Sequence, residues 1–296
     1  MSAAAPQVEA IELRPRRRGL PHGWRSLSVY LFVIGLVIFA AAFADIVAPH
    51  DPAQQDIVNR LQGPVWQTGD WNHVFGTDDL GRDTFSRLIH GARISMRVVA
   101  IVIPAALLIG TLLGLTAGWQ LGKVDRFIMR IVDVQLAFPG ILAAVLLAAI
   151  TGPRLSNVII ILTIFLWAAF ARLARAETIS LRERDYILAA RTIGAPGYRI
   201  LGLHVLPNLV NSIIVLATLQ LATVIIAEAS LSFLGVGAEI GTPSWGSMVA
   251  EGRKLLSIKF WLVGIPGLAI VIVALVANLM GDWLRDFLDP RLRRSR

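Results

Sequence analysis

Six long apolar stretches without Asp, Glu, Lys or Arg dominate the chain: 26–44, 98–122, 134–153, 155–171, 200–227 and 260–281. A helix needs about 20 mainly apolar residues to cross the hydrocarbon core of a bilayer. The pattern therefore predicts an all-α polytopic membrane protein with six transmembrane helices. The fifth is expected to begin after Asn208, because His204, Pro207 and Asn211 are unfavourable residues in contact with lipid.

This pattern divides the chain into five consecutive parts. They are an N-terminal tail (1–25), a first transmembrane helix (26–48), an outer loop with an interfacial helix (49–96), a five-helix core (97–283) and a C-terminal tail (284–296). The core contains one long basic loop, residues 172–211, between the fourth and fifth spans.

Composition agrees with a membrane protein. Of 296 residues only 16% are charged, and the mean hydropathy is +0.66, whereas soluble domains carry about 25% charged residues. The absence of cysteine excludes disulfides, cysteine-ligated zinc and thiol nucleophiles. The net charge of +8 fits the excess of Lys and Arg on the cytoplasmic side of membrane proteins. No basic patch interleaved with aromatic residues indicates nucleic-acid binding.

The distribution of Lys and Arg predicts the orientation. The two tails and the loops on their side hold 19 of these residues, against 9 on the other side, which places both termini in the cytoplasm. One alternative is a cleavable signal peptide, in which Arg16–Arg18 and an apolar run precede Ala42-Phe43-Ala44. That run is longer than the usual 7–15 residues, so a retained span is the preferred interpretation.

Sequence motifs of catalysis are missing. The chain has no phosphate-binding loop, no His-Glu-x-x-His and no Gly-x-Ser-x-Gly. With five scattered histidines, we expect no catalytic and no metal site. The spans hold almost no ionisable groups of the kind that proton-coupled carriers need, so the energy for any transport is expected to come from a partner. Gly110, Gly114 and Gly118 follow a small-xxx-small pattern that predicts close helix packing.

The loop 172–211 carries the most specific pattern. Tyr186, Ala189, Ala190 and Ile193 fall on one face of a short amphipathic helix, and Gly194 and Pro196 end it. A second short helix is expected from Pro196 to about residue 203, ended by Pro207. Such a face suits docking into a groove of another protein, but it also fits a connector lying on the membrane surface.

The stretch 188–194, Leu-Ala-Ala-Arg-Thr-Ile-Gly, is followed after nine residues by His204-Val205-Leu206-Pro207. It resembles the EAA loop of ABC importer permeases, with Leu188 in place of the motif's Glu and His204 in place of its Ile. With His204 in place of the Ile, the chain resembles the dipeptide, oligopeptide and nickel branch of these permeases. Further stretches resemble the same branch: 75–83, 86–87, 91–93, 130–133, 228, 231–235, 278–282, 284–286 and 288–290.

The resemblance implies the second permease subunit of a peptide-type system, with a type I ABC importer permease (MetI-like) fold, in a bacterial inner membrane. Its implied partners are a related permease subunit forming a heterodimer, two ATPase subunits that bind ATP and Mg, and an extracytoplasmic solute-binding protein. This chain would bind no cofactor itself. The implied substrates are di- or oligopeptides, with glutathione or nickel complexes as the alternative.

The resemblance also implies residue roles. The ATPase-coupling set is Tyr186, Ala189, Ala190, Ile193, Gly194, Ala195, Pro196, Arg199, His204 and Pro207. Glu228 is expected either to line the translocation pathway or to pair with the partner permease. Asp78, Arg82 and Asp83 are expected either to contact the binding protein from an interfacial helix that includes Phe85, or to form a self-satisfied cluster that caps a helix.

Overall fold

The computed structural model describes residues 24–239 and 241–288. In these ranges every regular element is helical. The helices are α1 (Trp24–Ala42), α2 (Ala44–Val47), α3 (Val65–Thr68), α4 (Thr84–Gln120), α5 (Gly122–Ala137), α6 (Gly140–Thr151), α7 (Leu155–Arg182), α8 (Asp185–Thr192), α9 (Gly197–Ile200), α10 (Leu206–Phe233), α11 (Trp245–Gly252) and α12 (Trp261–Leu288). The predicted all-α membrane fold is confirmed. Arg16–Arg18, on which the signal-peptide alternative rests, and most of both predicted tails lie outside the described residues.

Four described helices are long and apolar enough to cross a membrane: α4, α7, the continuous helical stretch Gly197–Phe233, and α12. The pair α5 and α6 makes a fifth if it counts as one span. The first predicted span falls on Ser26–Ala42, which is apolar but shorter; at 1.5 Å per residue it covers about 26 Å. Length and composition thus give four or five of the six expected spans.

The predicted interfacial helix before the second span is not a separate element. Residues 84–97 form the first turns of α4, which runs unbroken from Thr84 to Gln120. Asp83 caps this helix by accepting a hydrogen bond from the Ser86 amide at 2.7 Å. Because no helix-breaking sequence separates the polar turns from the apolar ones, they continue as one helix.

The third predicted span, 134–153, is broken in the structure. α5 ends before Phe138, which has extended backbone, and α6 begins after Pro139. The two helix axes differ by 79°. A residue before proline is pushed away from helical geometry, so the apolar pattern alone concealed a sharp bend.

The fifth span begins earlier than predicted, and Pro207 does not end the short helix before it. α9 passes through a π-helical turn, Leu201–Val205, into α10. Pro207 then lies in the first turn of α10, where its missing amide is least costly. The predicted loop 172–211 shrinks accordingly, because α7 also continues to Arg182.

The centre of the bundle is the contact between α4 and α7. A Cβ atom added to Gly110 would lie 2.3 Å from the Trp167 carbonyl oxygen, and one added to Gly114 would lie 2.4 Å from that of Ala171. A Cβ atom added to Gly118 would lie 2.8 Å from the Arg175 carbonyl oxygen. The predicted glycine pattern therefore lies where two helix backbones approach without room for a methyl group.

The short helix α11 packs against both α4 and α10. Trp245 donates a hydrogen bond from Nε1 to the Leu88 carbonyl oxygen at 2.9 Å. A Cβ atom on Gly246 would lie 2.1 Å from the Ala229 carbonyl oxygen. α11 thus bridges α4 and α10, while α12 packs along α10 at Gly281 against Leu219.

We expect Gly114→Ala to lower the free energy of unfolding by about 1–3 kcal/mol, the usual range for overpacking, because the added methyl group clashes with backbone. Gly264→Ala is the matched control, since its added methyl group meets nothing within 4 Å. Thermal unfolding of both variants in detergent checks this. Equal unfolding temperatures would contradict a tight α4–α7 contact.

Candidate functional site

The elbow, defined as residues 183–203, is a short helical hairpin seated on the end of the bundle. Ile187 and Ile200 anchor it, since both are almost completely buried. The guanidinium of Arg191 lies 4.3 Å from the centre of the Trp119 ring at the end of α4, a cation–π contact. Arg182 donates to the Trp119 carbonyl oxygen at 2.9 Å. The elbow is therefore attached directly to α4 and α7.

The elbow exposes several large apolar side chains. Ile193 is 85% exposed and Tyr198 is 81% exposed, and Tyr186, Leu188 and Leu203 are also exposed. Large apolar side chains clustered on a surface are typical of an interaction site. The sequence had placed Leu188 and Leu203 outside the coupling set, yet the structure exposes them beside it.

The turn between α8 and α9 holds this face in place. Gly194 has a φ of +81°, the left-handed geometry that ends helices and favours glycine. The amide of Gly194 donates to the Arg191 carbonyl oxygen at 2.9 Å, and that of Ala195 donates to Ala190 at 3.1 Å. Gly197 approaches the Trp119 ring so closely that a Cβ atom there would lie 2.8 Å from Nε1.

The predicted coupling residues divide into two groups. Ala190 and Ala195 are partly buried and pack against the core, so they support the elbow from below. The others lie at the surface: Tyr186, Ala189, Ile193, Gly194, Pro196, Arg199, His204 and Pro207. Arg191 is partly buried over Trp119. The amphipathic face is thus rotated slightly toward Leu188.

Three polar contacts tie the helices together near the elbow. Arg175 in α7 holds Asp125 in α5 through two hydrogen bonds, the longer of them 2.6 Å from Nη2. Ser212 in α10 donates to Glu177 in α7 at 3.2 Å. A movement of α7 at this end is therefore passed to α5 and α10 as well as to α4.

A groove of about 880 Å³ opens between α6, α7 and α10. Most of its lining is apolar, including Phe165 and Leu166. Gln220, Thr223 and Ser230 lie along one face of α10 and provide a polar stripe within it. Such a groove, mainly apolar with a few polar groups, can hold a small solute or another helix.

Glu228 lies inside the bundle of this subunit, and its pairing with the partner permease stays a prediction. The side chain is only 1% exposed and is absent from the groove lining. Its two oxygens accept hydrogen bonds at 2.8 Å from Ser95 in α4 and Ser232 in α10. The carboxyl group therefore joins two helices inside this subunit, because its hydroxyl donors lie within the same bundle.

Asp78, Arg82 and Asp83 form a self-satisfied cluster rather than an exposed contact surface. All three are buried. Asp78 binds Arg82 at 2.7 Å and also pairs with Arg87. Glu251 of α11 binds both arginines at 2.8 Å. Arg87 and Glu251 were missed from sequence, because the 164-residue separation of Arg87 and Glu251 leaves no local pattern.

A further set of ion pairs joins α2 to α4. Asp45 in α2 accepts hydrogen bonds from Arg93 at 2.9 Å and from His90 at 3.2 Å. These contacts tie the end of the first apolar helix to α4.

Two family models match the sequence. Residues 110–294 match the "binding-protein-dependent transport system inner membrane component" family, and residues 29–64 match the "N-terminal TM domain of oligopeptide transport permease C". The chain belongs to this family of transport permeases. The resemblance of the elbow to the loop of such permeases is thereby confirmed at the level of the family.

Curated relatives extend the match over nearly the whole permease. The chain is 42% identical to the di/tripeptide transport system permease protein DppC of Pseudomonas aeruginosa, over 93% of this chain and 90% of that one. It is 43% identical to the dipeptide transport system permease protein DppC of Alkalihalophilus pseudofirmus, over 90% and 86%. It is 48% identical to the glutathione transport system permease protein GsiD of Escherichia coli, over 90% and 87%.

A solved structure shares the fold of the permease. The inward-facing MetNI methionine ABC transporter contains a chain that superposes with a TM-score of 0.57 at 20% identity. The match covers 69% of this chain and 97% of that chain. The expected MetI-like fold is therefore confirmed.

We expect Asp78→Asn in this permease to lower the free energy of unfolding by about 3–5 kcal/mol, because it leaves two buried arginines without one of their two carboxylates. Asp79→Asn is the matched control, since Asp79 is exposed next to it, and surface changes usually stay within about 0.5 kcal/mol. Thermal unfolding in detergent compares the two. A similar loss in both variants would show that the cluster contributes little.

Proposed function

We propose that this permease forms half of the translocation pathway of an ATP-driven importer and couples to separate ATPase subunits through the elbow. The observation that carries the proposal is the exposed apolar face at Ile193 and Tyr198, fixed on a rigid base. A face of this kind gains affinity by burial in a partner's groove. Its anchoring to α4 and α7 supports a mechanical role, because a displaced elbow would move both helices.

The coupling step follows from these attachments. When the ATPase subunits bind ATP and Mg and close, the elbow is pulled with the cleft that holds it. Trp119 and Arg182 transmit this displacement to α4 and α7, and Asp125 and Glu177 spread it to α5 and α10. The helices around the groove then change their tilt together, which opens the pathway to the opposite side. Hydrolysis takes place on the partners.

The groove between α6, α7 and α10 supports the second half of the proposal. Its wall is provided by one subunit alone, so a closed pathway needs a second, related permease across from it. The polar stripe of Gln220, Thr223 and Ser230 offers hydrogen bonds to a passing solute without charge. The lining also includes the charged side chain of Arg172 in α7.

Orientation and membrane belong to the same proposal. The excess of Lys and Arg on one side supports cytoplasmic termini and a cytoplasmic elbow in a bacterial inner membrane. The opposite surface, which carries the buried cluster of Asp78, Arg82 and Asp83, would then face an extracytoplasmic solute-binding protein.

We infer di- or oligopeptides as the substrate, supported by the relatives in Pseudomonas and Alkalihalophilus, which are di/tripeptide and dipeptide permeases. Glutathione is the second candidate, because the 48% identical relative is a glutathione permease. Since glutathione is itself a small peptide, one groove could pass either. Nickel complexes are a further alternative substrate, which the sequence resemblance implies.

We expect Ile193→Asp to lower binding-protein-stimulated ATPase activity of the reconstituted complex by about 10-fold or more, because a buried apolar contact at an interface centre is worth at least ~1.4 kcal/mol. Ile258→Asp is the matched control, a similarly exposed isoleucine outside the elbow. Copurification of the ATPase subunits is measured in parallel. Normal stimulation in Ile193→Asp, with the complex intact, would refute coupling through the elbow.

Uptake into proteoliposomes separates the substrates. Labelled dipeptide, glutathione and a nickel chelate are supplied with the binding protein that copurifies with the complex. We expect ATP-dependent uptake of the dipeptide. Uptake of glutathione or the nickel chelate alone would move the assignment to that substrate, and uptake without ATP would overturn the importer mechanism.

A further inference from the structure

Two histidines and an aspartate that lie far apart in sequence meet in the region between α2 and α4. Nδ1 of His73 lies 3.0 Å from Oδ1 of Asp83, and Nδ1 of His50 lies 3.8 Å from Oδ2 of the same carboxylate. One ligand atom from each residue lies within 4.8 Å of the other two. The two imidazole rings are 4.8 Å apart, centre to centre.

This spacing fits a transition-metal ion. With bonds of about 2.0–2.2 Å, the ligand atoms of a tetrahedral zinc site lie about 3.3–3.5 Å from one another, so the three atoms need only small shifts to reach a shared ion. Two imidazole nitrogens with one carboxylate are typical of zinc and its neighbours, whereas magnesium and calcium prefer oxygen ligands alone.

One atom of the cluster lacks a partner. Nδ1 of His50 is buried and makes no hydrogen bond, although the ring has an exposed edge. A buried nitrogen without a partner costs free energy, and a metal bond would satisfy it. His50 is itself held in position, because its amide donates to the Ser86 hydroxyl at 3.1 Å.

The aspartate is fixed just as firmly. Oδ2 of Asp83 accepts hydrogen bonds at 2.7 Å from the amide and the hydroxyl of Ser86, while Oδ1 faces His73. A backbone bridge joins Asp83 to Thr77. Such outer contacts orient metal ligands in known sites. A cavity of about 460 Å³ lies beside His50, and its lining includes Asp45 and His90 but neither His73 nor Asp83.

We propose that His50, His73 and Asp83 bind one zinc ion, which ties the segment after α2, the loop before α4 and the first turn of α4 to one another. The sequence predicted no metal site, because the three residues are 23 and 10 positions apart and match no ligand spacing. The site is separate from the elbow and the groove and does not depend on the proposed transport function.

The test uses the full-length chain, purified in detergent with its partner subunits and stripped with a chelator. Titration with Zn²⁺ against a chromogenic chelator should give one tight equivalent per copy of this chain. His50→Gln and His73→Gln should each weaken this binding by at least about 100-fold. Loss of a residue that only orients a metal ligand costs about 10- to 100-fold, and loss of a ligand should cost no less. Co²⁺ in place of zinc should show the visible absorption of a tetrahedral site.

The matched control is His90→Gln. His90 lines the same cavity but bonds to Asp45 and the Ser86 carbonyl oxygen instead of the cluster, so its loss should leave zinc binding unchanged. Loss of binding in His90→Gln but not in His73→Gln would place an ion elsewhere and overturn the proposal. Equal binding by the unaltered chain, His50→Gln and His73→Gln would overturn it too. Unfolding temperatures of the stripped variants confirm that each is folded.

Discussion

The close approach of α4 and α7 is the contact on which the other features of this permease depend. At Gly110 and Gly114 the backbone of one helix meets carbonyl oxygens of the other with no space for a side chain. In a bilayer, where lipid is as apolar as leucine, such dense packing is a main source of helix association. The rest of the bundle is built around this pair, and the elbow rests on its ends through Trp119 and Arg182.

The same pair explains how a small surface element can act on a whole bundle. The elbow is fastened at buried Ile187 and Ile200 and by a cation–π contact, while Ile193 and Tyr198 are largely exposed. Packed helices move as rigid bodies, because dense interiors transmit strain. Under the proposed coupling role, a force on the elbow would reach α4 and α7 directly.

Charged groups in this subunit hold the fold together more than they mark a pathway. Glu228 joins α4 to α10 through two hydroxyl groups, and Glu251 joins α11 to the arginines that begin α4. A buried charge is tolerated only where partners satisfy it. The groove between α6, α7 and α10, by contrast, carries neutral polar groups on its α10 face, which suits a surface that solutes pass.

The sequence by itself determined the helical class, most apolar stretches, the turn at Gly194 and the glycine stripe on α4, because these depend on local periodicity and on residues with special backbone freedom. Only the tertiary structure decided what long-range contacts control: the bend at Pro139, the helical path through Pro207, the inward placement of Ala190, the partners of Glu228 and the meeting of His50, His73 and Asp83. Apolar composition reports that a segment is buried or in lipid. It does not report which neighbour the segment meets, and the neighbour decides where a helix bends and which polar groups are satisfied.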